Sequence, residues 1–291
     1  MTASILDGEK LAASIGDELR ARIAELAERG VVPGLGTLLV GDDGPSARYV
    51  ALKHRDCEAL GIRSEHVHLP ADATQRDVAE VVERFNADPG VHACLFQYPF
   101  PAGLDYGEAL AALDPAKDAD GLHPVNLGRL VMGEHGPRPC TPVGIQELLV
   151  RNGVRIEGRH VVIVGRGLTI GRPLAALLAL KEPNANAAVT VVHTGVADLG
   201  VHTREADILV AAAGSAGLVT RDMVRPGAAV VAAGVSFEGR KVLSDVAEDV
   251  AEVAGWLSPR IGGVGPMTRI MLMANTVAAA EAAAVRAAGA S

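Results

Sequence analysis

The fold is decided by the stretch HVVIVGRGLTIGRP at residues 160–173. A run of apolar, mostly β-branched residues predicts a buried strand, which leads into a turn with the spacing Gly-x-Gly-x-x-x-Gly and then into the apolar pattern of a helix. Free backbone amides and the helix dipole at such a helix start bind phosphate groups. The spacing is one residue longer than the usual dinucleotide fingerprint, and a glycine-rich turn can also exist for backbone reasons alone. Because a further strand follows, the turn predicts a dinucleotide site.

The end of that further strand, at residues 188–192, indicates which dinucleotide is bound. A fold specific for NAD places Asp or Glu there to bind the ribose hydroxyls. This chain has His193-Thr194-Gly195 instead, so no carboxylate repels a 2′-phosphate. Arg166 of the turn can attract that phosphate through its guanidinium. The pattern favours NADP, and the alternative is that Arg166 caps a carbonyl group.

Strand and helix patterns alternate on both sides of this stretch, which is typical of parallel sheets flanked by helices. A loop rich in Asp, Gly and Pro at residues 114–142 divides the alternation into two runs, and a loop of that length is usually functional or connects domains. We predict an α/β protein with two parallel-sheet domains, residues 1–140 and 141–269, and a final helix at 270–291 that packs back on the first domain. The predicted strands are 36–40, 66–69, 91–96, 160–164, 188–192, 207–211 and 228–231, and the predicted helices begin near Gly8, Ser46, Thr74, Thr141 and Gly171, with Ser46 as an N-cap and Thr74 in a capping box.

Charge and cysteine usage exclude several kinds of partner and site. The formal net charge is −8 and no run of Lys or Arg interrupts it, which argues against nucleic acid, whose phosphates require a basic face. The three cysteines, Cys57, Cys94 and Cys140, are odd in number and widely spaced. They predict neither a disulfide framework nor a zinc site, and they fit a reducing compartment. We expect no metal and no nucleic-acid partner.

The sequence predicts no export or membrane signal at either end. Residues 1–10 include Asp7 and Glu9 and contain no apolar core, unlike a signal peptide. The most apolar stretch, residues 270–287, is interrupted by polar and charged side chains and predicts a packed Ala-rich helix rather than a membrane span. The expectation is a cytoplasmic protein without a membrane partner.

Tyr49 and Lys53 are candidates for acid–base chemistry. They stand four residues apart in a predicted helix, so their side chains share one face. Such a pair can transfer protons when its surroundings lower the pKa of the lysine. The alternative is an ordinary amphipathic helix surface. Short-chain dehydrogenases have the same Tyr-x-x-x-Lys spacing, but their Gly-rich turn precedes the pair, whereas here it follows.

Asp118, Asp120 and Gln97 are candidates for substrate contacts. The two carboxylates lie in a Gly- and Pro-rich loop, where they can be turn-formers and nothing more. A carboxylate there can also accept two protons from a flat heterocycle that bears an NH next to an amino group. Gln97 ends a buried strand, where its side chain is either solvated or points into a site at the carboxyl edge of the sheet.

Six segments, taken together and in this order, resemble the bifunctional methylenetetrahydrofolate dehydrogenase/cyclohydrolase family over nearly the whole chain. Six collinear segments are hard to obtain by chance, and the Lys-Asp-x-Asp-Gly run and the last segment are the most specific. The segments are YVALK at 49–53, Gln97 with Pro99 and Pro101, DPAKDADG at 114–121, PCTP at 139–142, the turn at 165–173, and GGVGPMT at 262–268.

The resemblance implies a two-domain protomer with a cleft between the domains, folate on the first and NADP on the second, and a homodimer formed through the cofactor domain. Lys53 would be the catalytic lysine and Tyr49 the tyrosine packed against the pterin. Gln97 would orient the lysine, and Asp120 would bind the pyrimidine edge of the pterin. Gly262, Gly263 and Pro266 would line the folate pocket, and Gly165, Arg166, Gly167, Thr169, Ile170, Gly171, Thr194 and Val235 would bind the cofactor, with Arg166 and Thr194 at its 2′-phosphate.

The chemistry that the resemblance implies has two steps. A hydride passes from 5,10-methylenetetrahydrofolate to NADP. The methenyl product is then hydrolysed to 10-formyltetrahydrofolate, with Lys53 transferring the protons. The rival interpretations are another two-domain NADP-dependent dehydrogenase and a folate- or nucleotide-binding relative without turnover. The chain departs from the common family pattern without losing a proposed catalytic group, at Tyr98, Phe100, Ala232, Ser244 and Ile261.

Overall fold

The computed structural model describes residues 3–239 and 241–289. It divides into two compact units: the first unit is Ser14–Cys140 with the segment from Arg269 onward, and the second unit is Thr141–Thr268 with the segment up to Ala13. The strands are β1 Ser4–Ile5, β2 Gly34–Val40, β3 Arg63–Leu69, β4 Ala93–Phe96, β5 His160–Val164, β6 Ala188–Val192, β7 Ile208–Ala211, β8 Ala229–Ala232, β9 Val235–Glu238, β10 Lys241–Ser244 and β11 Trp256–Leu257. The helices are α1 Gly8–Glu28, α2 Gly44–Leu60, α3 Gln75–Ala87, α4 Tyr106–Ala112, α5 Pro124–Met132, α6 Cys140–Arg151, α7 Gly171–Ala179, α8 Leu199–Thr203 and α9 Val264–Gly289.

The second unit is built on a parallel sheet with the strand order β1-β11-β8-β7-β5-β6. Strands β7 and β8 are buried along their full length, as expected for the centre of a parallel sheet. The chain runs from β5 to β6 on one side and then crosses to β7 on the other side of β5. This reversal is the switch point of a Rossmann-like fold. The prediction of a parallel sheet with such a second domain is confirmed.

The first unit contains a parallel sheet with the order β3-β2-β4. Strand β2 is buried over its whole length. Helix α3 packs against this sheet with the apolar side chains that the sequence pattern placed on one face. The predicted capping box is confirmed: Thr74 Oγ1 accepts a hydrogen bond from Asp77 N at 3.3 Å, and Asp77 Oδ2 accepts one from Thr74 N at 2.7 Å.

The two units divide at residue 140, as in the sequence-based division, but the N-terminal segment belongs to the other unit. Ser4 and Ile5 pair in parallel with Trp256 and Leu257, so the segment up to Ala13 lies in the second unit instead of the first. A pairing between residues so far apart in the chain leaves no local pattern. Met1, Thr2, Arg240, Ala290 and Ser291, which the predicted domain ranges include, lie outside the described residues.

Two local predictions are wrong. Residues 114–142 are not a continuous loop, because α5 forms within them; His123 Nδ1 accepts from Val125 N at its start. Ser46 is not an N-cap. Asp43 has that role, since its carboxylate accepts a hydrogen bond from Ser46 N at 2.9 Å, and a proline follows in the first turn.

Helix α9 is the one described helix that is long and apolar enough to cross a membrane by length and composition. Its residues Met273, Thr276, Val277 and Ala280 are fully buried. Glu281 accepts hydrogen bonds of 2.9 and 2.7 Å from the Arg22 guanidinium of α1. Side chains of the first unit thus cover a face of α9, as they do for a core helix.

Candidate active site

Helix α2 carries the predicted pair Tyr49 and Lys53. The helix begins at the Asp43 cap and ends at Gly61, whose φ of 77° is left-handed. Lys53 is only 6% exposed. Its ammonium lies 4.8 Å from the centroid of the Tyr49 ring, a cation–π contact that stabilises the charge. Because the two residues are one helical turn apart, this contact follows from the sequence spacing.

Gln97 meets Lys53 from the end of β4. Lys53 Nζ donates a 3.0 Å hydrogen bond to Gln97 Oε1. Gln97 Nε2 donates to the carbonyl oxygen of Tyr98 at 3.1 Å, and the backbone N–H of Gln97 donates to Leu38 O at 2.8 Å. The amide group is therefore oriented with its oxygen toward the lysine. The structure brings together three of the four predicted catalytic residues by direct contact.

Asp118 is a turn-forming residue. Its carboxylate is 2% exposed and accepts hydrogen bonds from Gly121 N at 3.0 Å, His123 N at 2.8 Å and Asn126 Nδ2 at 2.9 Å. These bonds satisfy the charge internally, so Asp118 fits the structural alternative that the sequence left open for the pair.

Asp120, two residues on, has different surroundings. Its neighbours are the Cys140 thiol and the charge of Lys53. Burial raises the pKa of this carboxyl group to about 6, and Lys53 partly offsets that rise. At neutral pH the group is a carboxylate that can still accept protons from a ligand.

Burial acts on Lys53 and Tyr49 as well. It lowers the pKa of Lys53 to about 8, while the Asp120 carboxylate counteracts part of the shift. It raises the pKa of Tyr49 to about 12, so the phenol stays protonated. The site therefore holds an ammonium and a carboxylate whose pKa values both lie near neutrality, a typical property of acid–base sites.

Asn275 and Cys140 support the loops that carry Asp120. Asn275 Nδ2, on α9, donates to Ala119 O at 2.9 Å and to Arg138 O at 3.0 Å. Cys140 Sγ donates to the same Ala119 carbonyl at 3.2 Å, and burial raises the pKa of this thiol well above its usual value. Cys140 is therefore a protonated donor rather than a nucleophile.

An ion pair stands one helical turn beyond Lys53. Arg269 Nε lies 2.9 Å from Asp56 Oδ2, although the two atoms do not have hydrogen-bond geometry. The Arg269 charge lowers the pKa of both Lys53 and Tyr49. Neither this pair nor Asn275 was predicted from the sequence as part of the site. The available signal was a polar or charged residue within an otherwise apolar helix pattern.

In the second unit, the Gly-rich turn has the backbone that a phosphate requires. Gly165 has a φ of 127°, and a Cβ there would lie 2.1 Å from Ala212 O. A Cβ at Gly171 would lie 2.2 Å from Gly165 O, whereas a Cβ at Gly167 would meet nothing within 4 Å. The first and third glycines are thus needed for packing, and the second leaves open space. The side chain of Ile170 does not cap α7, so it does not compete with a ligand for the first amides of the helix, of which that of Arg172 donates to Gly167 O at 3.2 Å.

The other predicted cofactor residues lie at the same edge of this unit or near it. Arg166 and Thr169 of the turn are exposed, and so is Thr194 after β6. Val235, the first residue of β9, is 40% exposed. His193 Nδ1 accepts from Gly195 N at 3.0 Å, which shapes the end of β6. The residues present fit NADP: a glycine turn and helix start for the diphosphate, and Arg166 for the 2′-phosphate.

Gly262, Gly263 and Pro266, predicted to line the folate pocket, lie at or just before the start of α9 in the second unit. Two of them have packing roles. Gly262 has a φ of 83°, and its carbonyl accepts from Gly8 N at 2.8 Å. A Cβ added to Gly263 would lie 2.4 Å from Pro259 O. This close approach is one physical reason for the glycine pair.

Comparison with known proteins covers nearly the whole chain. Residues 6–120 match the family described as "Tetrahydrofolate dehydrogenase/cyclohydrolase, catalytic domain", and residues 139–284 match "Tetrahydrofolate dehydrogenase/cyclohydrolase, NAD(P)-binding domain". The chain is similar to the bifunctional protein FolD of Syntrophotalea carbinolica, with 56% identity over 287 residues that cover 99% of both chains.

Two solved structures are also similar. One is the bifunctional enzyme FolD, a methylenetetrahydrofolate dehydrogenase/cyclohydrolase, of Campylobacter jejuni, with a TM-score of 0.92, 38% identity and coverage of 96% of this chain and 99% of that one. The other is the methylenetetrahydrofolate dehydrogenase-cyclohydrolase of Trypanosoma brucei complexed with NADP cofactor and inhibitor, with a TM-score of 0.91, 38% identity and coverage of 97% and 98%. The chain therefore belongs to the tetrahydrofolate dehydrogenase/cyclohydrolase family.

Proposed function

We propose that this chain oxidises 5,10-methylenetetrahydrofolate with NADP and hydrolyses the methenyl product to 10-formyltetrahydrofolate, with Lys53 as the group that moves protons. One observation carries the role of Lys53: it is 6% exposed, donates a 3.0 Å hydrogen bond to Gln97 and has a pKa of about 8. A lysine without such a task keeps its ammonium in water, because burying a cation is unfavourable. A buried amine that titrates near neutrality is suited to acid–base catalysis.

Substrate binding is assigned to the first unit. Asp120 accepts hydrogen bonds from the amino group and the adjacent NH of the pterin, which a carboxylate binds in bidentate fashion. The Tyr49 ring packs on the pterin face. The backbone support from Asn275 and Cys140 keeps the Asp120 loop in place, so little orientation remains to be fixed when substrate binds.

In the oxidation step the residues of the chain bind and orient. NADP, when bound, accepts the hydride from the methylene carbon. The Gly165 turn and Arg166 hold the phosphates, and the site needs no protein acid for this step, because the positive charge of the product spreads over two nitrogens. Alignment is therefore the main contribution of the protein to hydride transfer.

The hydrolysis step requires protons to move. Water adds to the methenyl carbon and loses a proton, which leaves a neutral carbinolamine. The hydroxyl group then loses its proton to solvent as the carbonyl forms, the bond from that carbon to N5 breaks, and N5 takes up a proton as the ring opens, so that one proton is released overall. The neutral amine of Lys53 accepts the first proton and the resulting ammonium returns one to the leaving nitrogen, so the lysine is regenerated. The hydrogen bond to Gln97 keeps Nζ in position during both transfers.

Lys53→Met tests whether Lys53 transfers protons in hydrolysis and is not needed as an acid in oxidation, because methionine keeps much of the aliphatic stem and removes the ammonium. We expect cyclohydrolase activity to fall by roughly 100-fold or more, the scale of a lost general acid–base group. Dehydrogenase activity should fall less, so that methenyl product accumulates in stopped-flow absorbance traces.

Lys181→Met is the matched control, since Lys181 is exposed and should leave both activities unchanged. Equal loss of both steps in Lys53→Met would mean that Lys53 positions the substrate rather than moving protons. If wild-type protein forms neither methenyl product nor NADPH from 5,10-methylenetetrahydrofolate and NADP, the proposed function itself is wrong.

We also propose that the protein is a cytoplasmic homodimer that associates through the second unit and has no nucleic-acid or membrane partner. The family resemblance supports the dimer. The net charge of −8 and three free, buried cysteines support a reducing compartment without nucleic acid. Sedimentation equilibrium that gives the mass of a single chain at every concentration would exclude the dimer.

A further inference from the structure

Asp245 is a fully buried carboxylate that holds a loop of the second unit. It is 0% exposed. Its oxygens accept hydrogen bonds from three consecutive backbone amides: Oδ2 from Ala213 N at 2.6 Å and Gly214 N at 2.9 Å, and Oδ1 from Ser215 N at 2.7 Å. Charge-assisted hydrogen bonds are stronger than neutral ones, so these three bonds fix the backbone of the loop. Residues 213–215 form the Asp245 loop.

The position of the Asp245 loop follows from the sheet. It comes directly after β7, and β7 pairs with β5 up to the contact between Ala211 and Val164. The Gly-rich turn leaves β5 at the same edge, and a Cβ on Gly165 would touch Ala212 O at 2.1 Å. The strand order reverses between β5 and β7, which is where dinucleotides cross a sheet of this type. A crevice is expected between the carboxyl ends of β5 and β7, and the Asp245 loop lies on the β7 side of it, away from β6.

Asp245 itself is fixed in place. Its backbone N–H donates to Gly234 O at 3.2 Å, and its carbonyl accepts from Val219 N at 2.9 Å. A Cβ on Gly234 would lie 1.9 Å from the carboxylate, so only glycine at 234 leaves room for it. Neither the sequence pattern nor the family resemblance assigned a role to Asp245.

We infer that Asp245 is a positioning residue that shapes the Asp245 loop to receive the nicotinamide half of NADP. The adenosine half belongs to the other side of the switch point, where the Gly165 turn and the end of β6 lie. This inference rests on the proposed cofactor role of the second unit. It assigns the two halves of the cofactor to separately held loops, so a change at Asp245 should affect one half and spare the other.

Asp245→Asn tests this separation in the full-length protein. An amide offers one acceptor oxygen where the carboxylate offers two, so at least one N–H of the loop loses its partner. Calorimetric titration gives the Kd for NADP and, separately, the Kd for 2′,5′-ADP, which lacks the nicotinamide half. We expect the Kd for NADP to rise about tenfold or more, the scale of a lost charge-assisted hydrogen bond, and the Kd for 2′,5′-ADP to change less than about twofold.

Asp249→Asn is the matched control, because Asp249 is an exposed acid four residues away and should change neither Kd. If Asp245→Asn weakens both ligands by the same factor, Asp245 maintains the whole unit and the inference is overturned. An unchanged Kd for NADP also overturns it. Failure of the proposed cofactor role is a different result, in which the wild-type protein binds neither NADP nor 2′,5′-ADP.

Hydrogen exchange on wild-type protein covers the case in which the variant fails to fold. NADP should slow exchange of the amides of Ala213, Gly214 and Ser215 beyond their protection in free protein, because the ligand closes the crevice over them. The fragment 2′,5′-ADP should leave their exchange rates unchanged while slowing those of the Gly165 turn. Equal effects of the two ligands on the Asp245 loop would contradict the inference.

Discussion

Asp118 and Asp120 are two residues apart and chemically identical, yet backbone geometry gives them different tasks. The N–H groups of the following turn converge on Asp118 and satisfy its charge. Asp120 faces a thiol and a buried ammonium, and burial raises its pKa to about 6. A carboxyl group whose pKa is raised by burial destabilises the folded state when it ionises, which is typical of a group retained for function.

The first prediction contrasts Asp118→Asn with Asp120→Asn. We expect Asp120→Asn to raise the folate Kd by tenfold to a hundredfold, because a charge-assisted contact is worth about 1.5–3 kcal/mol. Its free energy of unfolding should not fall, since an ionised buried group is removed. Asp118→Asn should lower the free energy of unfolding by about 1–3 kcal/mol, because amides of the turn lose their acceptor.

The two measurements are folate titration and urea unfolding of both variants beside the wild type. An Asp120→Asn variant with unchanged folate affinity and reduced stability would make Asp120 a second turn-former. NADP binding serves as the internal control, because both residues lie in the first unit.

The residues of the first-unit site could be predicted from sequence to different degrees. Tyr49 and Lys53 are one helical turn apart, so their contact follows from local geometry. Gln97 could be placed only at a strand end, and its hydrogen bond to Lys53 depends on how β4 and α2 pack. The Arg269–Asp56 ion pair joins residues more than two hundred positions apart, and no spacing rule indicates it.

Among the elements, the Gly-rich turn between β5 and α7 gives the most specific prediction about the cofactor, namely the preference for NADP over NAD. Arg166 is exposed on this turn, and β6 ends without a carboxylate. Arg166→Ala should therefore reduce the preference for NADP over NAD by about fivefold to tenfold, less than a buried pair would contribute because solvent screens an exposed guanidinium. The measurement is kcat/KM of the dehydrogenase reaction with each cofactor.

Arg172→Ala is the control for that substitution. Arg172 is exposed in the first turn of α7 and should leave the ratio of the two cofactors unchanged. Equal catalytic efficiency of wild-type protein with NADP and NAD would contradict the assignment of Arg166 to the 2′-phosphate.

Elements with a strong hydrophobic pattern could be predicted from the sequence. Elements whose formation depends on packing against neighbouring elements could not. Strands β5 and β6 agree with the predicted ranges, because continuous β-branched runs mark buried parallel strands. Helix α5 was missed, since Pro124 and the glycines around it indicate a loop. Strands β9 and β10 pair only with each other, and a short, partly exposed hairpin has little apolar alternation to detect.

For the whole molecule, the division into two units near residue 140 could be predicted from the sequence, and the assignment of the N-terminal segment could not. The two runs of alternation indicate two sheets. The assignment of the N-terminal segment depends on β1, a strand of two residues that joins the edge of the second sheet beside β11. A strand so short has no sequence signal, and only the register with Trp256 and Leu257 defines it.

The buried lysine also has a consequence for global stability. Its folded pKa is about 8 and its ordinary value is 10.5. Below pH 8 it is protonated in both the folded and the unfolded chain, so the penalty for burying the cation is fully present. Between pH 8 and 10.5 the unfolded chain binds more protons than the folded chain, so this penalty is relieved as the pH rises.

Lys53→Met should therefore stabilise the first unit while it disables hydrolysis. The net pKa shift, which already includes the attraction to Asp120, corresponds to roughly 3 kcal/mol at pH 7, and the lost hydrogen bond to Gln97 subtracts about 1–2 kcal/mol from it. We expect a net gain of about 1–2 kcal/mol at pH 7 that shrinks toward zero or reverses by pH 10. Urea unfolding at the two pH values measures it, with Lys10→Met as the control because Lys10 is exposed on α1. A variant that is less stable than the wild type at pH 7, or a gap that does not change with pH, would mean that the ammonium of Lys53 is well accommodated in the fold. In that case the burial of Lys53 would be a feature of packing, and the protein would not lose stability by bringing the pKa of this amine near neutrality.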